Sequence, residues 1–364
     1  MTSGEKSQIL SRNWLPYIEA VIVLLFISLI LVHTRKGETE SDLLPLSEVQ
    51  KTIKQANEYF AVQDLAKAAI AYWQAIRAIE SAKKESPGEA SHLDSALLHV
   101  YLRVAEIYSH GSWVKDARKR VARAEQIQPE HIDVYLLSGK LLREDGEKEA
   151  AVEKFRKVLE KDPNHAEAHY LLGVLYQSMK KFDRATEHYK KAIESDAELV
   201  RLPFEPTPIG LQARLQLSRT YRRMLQDFRF VDRELTDEDM AKIGQLEAQS
   251  VDLLEEVVDK DSNHTEATDE LIGMLYARAA ARGREGETRS YDKALEVYTR
   301  ITELDPNDVD AWNQIGEINR SYFQDAEAAL KAYRKAYELS PDPGILAEIK
   351  NLEEDPTLTI DGLE

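Results

Sequence analysis

Hydrophobic and polar positions follow two different patterns along this chain. From Trp14 to Val32 it reads WLPYIEAVIVLLFISLILV, an apolar run whose proline and carboxylate, Pro16 and Glu19, fall near its start. A helix of this length is roughly 28 Å long, which just reaches across a hydrocarbon core. The run therefore predicts a transmembrane anchor over 14–32, with Trp14 and Tyr17 suited to the interface. The chain continues VHTRKGETE with no small-x-small cleavage pattern, which favours a retained anchor over a removed signal peptide; a buried soluble helix is the third reading of the run. Beyond Ser47 the apolar residues instead recur every three or four positions, the period of amphipathic helices.

A longer period is superposed on the helical one. Pro129, Pro163 and Ala197 are 34 residues apart, as are Gly139 and Gly173. The same interval relates Ala117, Ala151 and Ala185, and Val121, Phe155 and Tyr189. Small residues, aromatics and helix-ending prolines thus keep a fixed phase. A small residue midway along a helix lets its partner approach closely, the aromatic fills the space beside it, and proline with a polar neighbour stops the second helix.

This pattern resembles the tetratricopeptide repeat family over about 300 residues, in about seven units. Unit one carries Ala56, Tyr59, Ala68, Tyr72 and Ala75, with a second helix running on to about Ser86; unit two carries Ala105, Tyr108, Ala117, Ala124 and Pro129. Gly139, Leu142, Ala151 and Phe155 mark the third unit, and Gly173, Tyr176, Ala185 and Tyr189 the fourth. The seventh shows Trp312, Gly316, Ala329, Tyr333 and Pro341. The resemblance implies an all-α chain in which the transmembrane helix is followed by a right-handed superhelical solenoid of helix-turn-helix units, each burying its apolar face against its neighbours.

The expected organisation is a tail (1–13), the anchor (14–32), an acidic tether (33–46), units one to four (47–200), a proline-rich link (201–209), units five to seven (210–342), and a capping helix with a tail (343–364). Units five and six depart from the pattern. Unit five begins at Leu211, and its second helix resumes near Leu246 after an insertion near 227–244 in which Thr236 is a good helix N-cap. Unit six has Tyr276 and then an insertion near 280–290.

Composition narrows the partners. A formal charge of −17 argues against nucleic acid, whose phosphates such a surface repels. The absence of cysteine removes disulfides, thiolate metal sites and cysteine nucleophiles. One stretch suggests chemistry: in DPNHAEAH, His165 and His169 stand four apart with Glu167 between them, as two metal ligands on one helical face would. The stretch DSNHTEAT repeats that opening around His264 without the second histidine, and in the repeat frame both are inter-repeat turns with Asn164 as a helix cap. A zincin would require His-Glu-x-x-His and a third ligand, so we expect no metal, no cofactor, no small-molecule substrate and no enzyme; a hydrolase built on this stretch is the alternative of a different class.

What remains is protein binding. The resemblance implies that the first helix of each unit lines a concave groove that takes a peptide or helix. Carried over position by position, the groove residues are Asn57, Glu106, Lys140, Arg143, Tyr170, Val174, Gln177, Arg219, Arg222, Glu317 and Arg320. The family's clamp for chaperone carboxy termini is poorly matched, since units one to three offer Ile53 and Asn57, Arg103, then Asp133 and Leu137. Lys140, Arg143, Arg219 and Arg222 read as basic spots suited to an acidic segment, or as solvated or internally paired surface charges. The expected function is a membrane-anchored scaffold that recruits proteins at the membrane, with an organellar import or tethering receptor as the alternative. Lys6 and Arg12 before the anchor balance Arg35 and Lys36 after it, so the positive-inside rule leaves orientation nearly even. A bacterial inner membrane with the array on the non-cytoplasmic side is the favoured setting.

Overall fold

The computed structural model describes residues 46–85, 93–111, 113–196, 207–229, 234–282 and 291–354. The expected anchor, nearly all of the tether and the last ten residues lie outside them. Among the described residues no helix is long and apolar enough to cross a membrane.

The chain is an all-α solenoid that divides into two units, up to Ala213 and from Arg214 onward. The first holds four helical hairpins: α1 (Val49–Ala61) with α2 (Leu65–Glu85), α3 (Asp94–His110) with α4 (Val114–Ile127), α5 (Ile132–Glu144) with α6 (Lys148–Lys161), and α7 (Ala166–Ser178) with α8 (Phe182–Ser195). α9 (Ile209–Arg229) crosses the division and pairs with α10 (Asp237–Lys260). In the second unit α11 (Thr265–Arg282) precedes α12 (Tyr291–Leu304), α13 (Val309–Ile318) pairs with α14 (Ala326–Leu339), and α15 (Pro343–Glu353) packs on α14.

The hairpins close for a steric reason. A Cβ added to Gly139 would lie 2.6 Å from the Phe155 ring, and Gly173 and Gly316 stand in the same relation to Tyr189 and Tyr333. Each ring is fully buried, so it occupies the volume a side chain would otherwise take. Hairpin five solves the same contact with polar atoms: Ser218 Oγ and Ser250 Oγ meet at 2.6 Å with no exposed surface. Hairpin six differs. Its LIGMLY resembles LLGVLY of hairpin four, yet Gly273 lies nine residues after His264 whereas Gly173 lies eight after His165. One residue out of phase, Gly273 points into open space.

The turns between hairpins are built alike. Asp162, Asp261 and Asp305 each accept the backbone N–H two residues on, and His165, His264 and Asp308 then cap the next helix. The cap in the first of these is therefore His165, one residue later than the expected Asn164. Hairpin five is longer than expected, because α10 starts at Asp237 instead of near Leu246. Thr236 and Asp239 form a reciprocal capping box there, which satisfies two backbone donors and lets the inserted residues join the helix.

Candidate partner-binding face

His165 and His169 turn out to serve the turn. The His165 ring Nδ1 accepts the Ala168 backbone N–H, 3.2 Å away, which commits it as a cap. His169 is buried, and its Nε2 lies 2.9 Å from the Pro163 carbonyl. A carbonyl only accepts, so that nitrogen carries the proton. Trp312 makes the same contact at the Asp305 turn, donating its indole N–H to the Pro306 carbonyl at 3.0 Å. The other His169 nitrogen, Nδ1, is then the acceptor for His188 Nδ1–H, 3.0 Å away on α8. Among the described residues no group of three His, Asp or Glu comes together as a metal site.

The histidine pair is a pH-sensitive contact. His188 stacks on Tyr176 and faces His169, Glu187, Lys191 and Arg156. Burial, reinforced by His169, pulls its pKa down to about 4, and burial also lowers that of His169 against the pull of the Pro163 carbonyl. Both are neutral in the fold and titrate near 6.5 when unfolded. Stability is therefore complete above the unfolded value and declines as pH falls from about 6.5 to 4, because the unfolded chain binds protons first. With His188 partly exposed, the loss is on the order of 2 kcal/mol. Urea midpoints at several pH values check this: His188→Phe is expected to be less stable at neutral pH but to show a flatter decline than the wild type. Equal slopes would rule the pair out as the source.

The first helices of the opening hairpins share a polar ladder. Asn57 on α1 accepts the Tyr72 hydroxyl at 2.5 Å and His99 Nε2–H of α3 at 3.0 Å. On α3 Arg103 lies over the Phe60 ring and pairs with Glu106 at 2.8 Å. Burial raises the Glu106 pKa while Arg103 and Lys140 oppose it. Lys140 on α5 reaches Glu167 on α7 at 2.5 Å. Burial alone would lower the lysine, but Glu167 and Glu106 together hold it above its ordinary range. Arg143 sits near enough to disfavour that charge and forms no ion pair among the described residues. Leu136 and Lys140 on α5 fall at the same repeat positions as Tyr170 and Val174 on α7, 34 residues on. Tyr170 and Val174 are partly exposed, Tyr170 tilted over Tyr189, whereas Gln177 is buried.

The other sequence-derived positions are held internally. Arg219 donates to Glu270 at 2.7 Å and also pairs with Glu266, and Arg222 meets Glu270 at 2.7 Å. Glu317 accepts from Tyr333, Ser321 and Arg320, and Arg320 forms an ion pair with Glu348 of α15 at 2.9 Å. Of the four basic spots, three thus carry a carboxylate already. Their partners were invisible to sequence reasoning, because Glu167 and Glu270 lie 27 and 51 residues from the cations they neutralise. His99 was discoverable, standing four residues before Arg103 on the same helical face.

Family models described as TPR repeat and tetratricopeptide repeat match residues 139–180, 166–198 and 284–342. The comparison with curated proteins yields no match. Among solved structures the chain is similar to PilF of Pseudomonas aeruginosa, at 15% identity and TM-score 0.42 over 71% of this chain and 98% of that one. It is also similar to the C-terminal part of a TPR repeat-containing protein from Cytophaga hutchinsonii, at 13% identity and TM-score 0.45 over 82% and 99%. A third is YrrB, described as a TPR protein with an unusual peptide-binding site, at 21% identity and TM-score 0.36 over 64% and 97%. Residues 139–198 and 284–342 of this all-α solenoid are tetratricopeptide repeats, modules that generally mediate protein–protein interaction and typically carry no enzymatic activity.

Proposed function

We propose that this chain is a membrane-anchored scaffold that binds protein partners along the first helices of its repeats and gathers them at a bacterial inner membrane. The observation that carries the reading is the face shared by α5 and α7. Arg143 on α5 forms no ion pair among the described residues, and Tyr170 and Val174 on α7 are partly exposed, while Lys140 and Glu167 neutralise each other across the two helices. An excess cation next to an aromatic and an aliphatic side chain suits an acidic segment that carries an apolar residue. Asn57, Glu106, Arg219, Arg222, Glu317 and Arg320 act in this reading as the bracing of the first helices. The run Trp14–Val32 supplies the anchor, and confinement to a surface raises the effective concentration of partners.

A photoreactive residue placed at Arg143, Tyr170 or Val174 tests the reading in intact membranes. Protein adducts are expected at these positions and not at Lys331, on the exposed surface of α14. Arg143→Glu combined with Tyr170→Ala is expected to weaken capture at least about tenfold. Equal adducts at Lys331, or none anywhere, would defeat it. The side of the membrane is tested separately: the chain has no cysteine, so Glu327→Cys offers a single thiol to an impermeant reagent. Labelling in cells with a permeabilised outer membrane and intact inner membrane is the result expected of an exported array.

A further inference from the structure

A second site, independent of the α5 and α7 face, stands on the other helix of a hairpin. Asp292, Leu295, Glu296, Thr299, Arg300 and Glu303 form one stripe of α12. With Phe323 they line an open groove of about 500 Å³. Phe323 reaches it because of an extra residue. From Asp308, the cap of α13, to the left-handed Gln324 there are sixteen steps, whereas His131 to Gly146 and His165 to Lys180 each take fifteen. The added residue is absorbed as a π-helical turn over Asn319–Phe323, braced by Asn319 Nδ2 donating to the Ile315 carbonyl at 2.9 Å. Such single-turn bulges concentrate at functional sites. This one leaves Tyr322 46% and Phe323 41% exposed, among the few large apolar side chains of the described residues that face solvent. Tyr322 stacks on Tyr291 at the start of α12, which fixes the turn beside the groove.

The charges of the groove select its occupant. Arg300 is already committed, to Glu255 at 2.5 Å and Glu303 at 3.1 Å. Asp292 and Glu296 form no ion pair among the described residues and stand one turn apart, so Leu295 and Phe323 share the groove's lining with two carboxylates that no described cation neutralises. We propose that this groove docks a short cationic segment of a partner protein, with an apolar side chain on Leu295 and Phe323 and basic residues on Asp292 and Glu296. From Asp292 to Glu303 the stripe is roughly 16 Å long, the span of about five extended residues. Lysine and arginine stems also cover apolar surface while their heads meet carboxylates. The chain's charge of −17 draws such a segment in.

The test is anisotropy of a fluorescein-labelled peptide, Arg-Lys-Phe-Leu-Lys-Arg, titrated with the full chain in detergent. A twin with every basic residue replaced by glutamate is run in parallel. The cationic peptide is expected to bind, to weaken severalfold between about 50 and 300 mM salt, and to exceed its twin at least about tenfold. Glu296→Lys and Phe323→Ala are each expected to weaken it at least about fivefold with unchanged melting temperatures. Arg143→Glu is expected to leave it within about twofold. Equal binding of the twin, indifference to both groove variants, or loss with Arg143→Glu would overturn the proposal. The last outcome would move the peptide to the α5 and α7 face, whose own test is the crosslinking at Arg143, Tyr170 and Val174.

Discussion

Phe155→Ala is expected to destabilise the first unit by about 3–5 kcal/mol, the cost of emptying a fully buried aromatic position. The ring has no exposed surface, and it stands where Gly139 offers no side chain to fill the resulting void. Relaxation would require α5 and α6 to close on each other. Both helices are already held by neighbours, α5 through the Lys140–Glu167 pair and α6 through its packing on α7. In a solenoid each hairpin buries its apolar face against those beside it, so the loss is expected to spread to the flanking hairpins. Urea unfolding followed by circular dichroism would show a lower midpoint and a broadened transition. A loss below about 1 kcal/mol would mean that the aromatic is not the wedge between these helices.

Gly173→Val tests the same contact from the other side, and is expected to cost about 3 kcal/mol. Ordinarily a helical glycine gains close to 1 kcal/mol when given a side chain, since its backbone entropy is then lower. Here the new Cβ would lie 2.6 Å from two carbons of the Tyr189 ring, which is itself without exposed surface and cannot swing aside. Even Gly173→Ala is therefore expected to lose on the order of 1–3 kcal/mol. Gly273→Ala supplies the contrast: nothing lies near its added Cβ, so a gain of about 0.5–1 kcal/mol is expected. Two glycines in nearly identical strings should thus respond with opposite signs. Thermal melts of the two alanine variants decide it, and a shared sign would refute the steric account.

That contrast also marks where the sequence was legible. The 34-residue spacing of Gly139 with Gly173 and of Phe155 with Tyr189 predicts a small residue against an aromatic, and the structure places those rings on those glycines. LIGMLY of hairpin six is nearly the same string as LLGVLY of hairpin four, but its phase from the helix cap differs by one residue, which turns Gly273 outward. A helix rotates by about 100° per residue, so a single step is enough to move a side chain from the seam to solvent. The turns show the same limit. Their location follows from Asp-x-Asn, a local signal, yet whether the asparagine or the next residue caps depends on where the helix starts.

The sequence by itself determined the class of fold, the phase of the hairpins, the apolar run over 14–32 and the exclusion of cysteine chemistry. All of these are local or periodic, set by residues within a turn or one repeat of each other. The tertiary structure alone decided which charges are spent. It joined Lys140 to Glu167 and Arg219 to Glu270, made His169 a donor to Pro163 and an acceptor for His188, and left Arg143, Asp292 and Glu296 without an ion pair among the described residues. It also turned one extra residue into a π turn that exposes Phe323. These outcomes depend on which face of each helix meets which neighbour, and side chains brought within 3 Å by packing carry no mark of it along the chain.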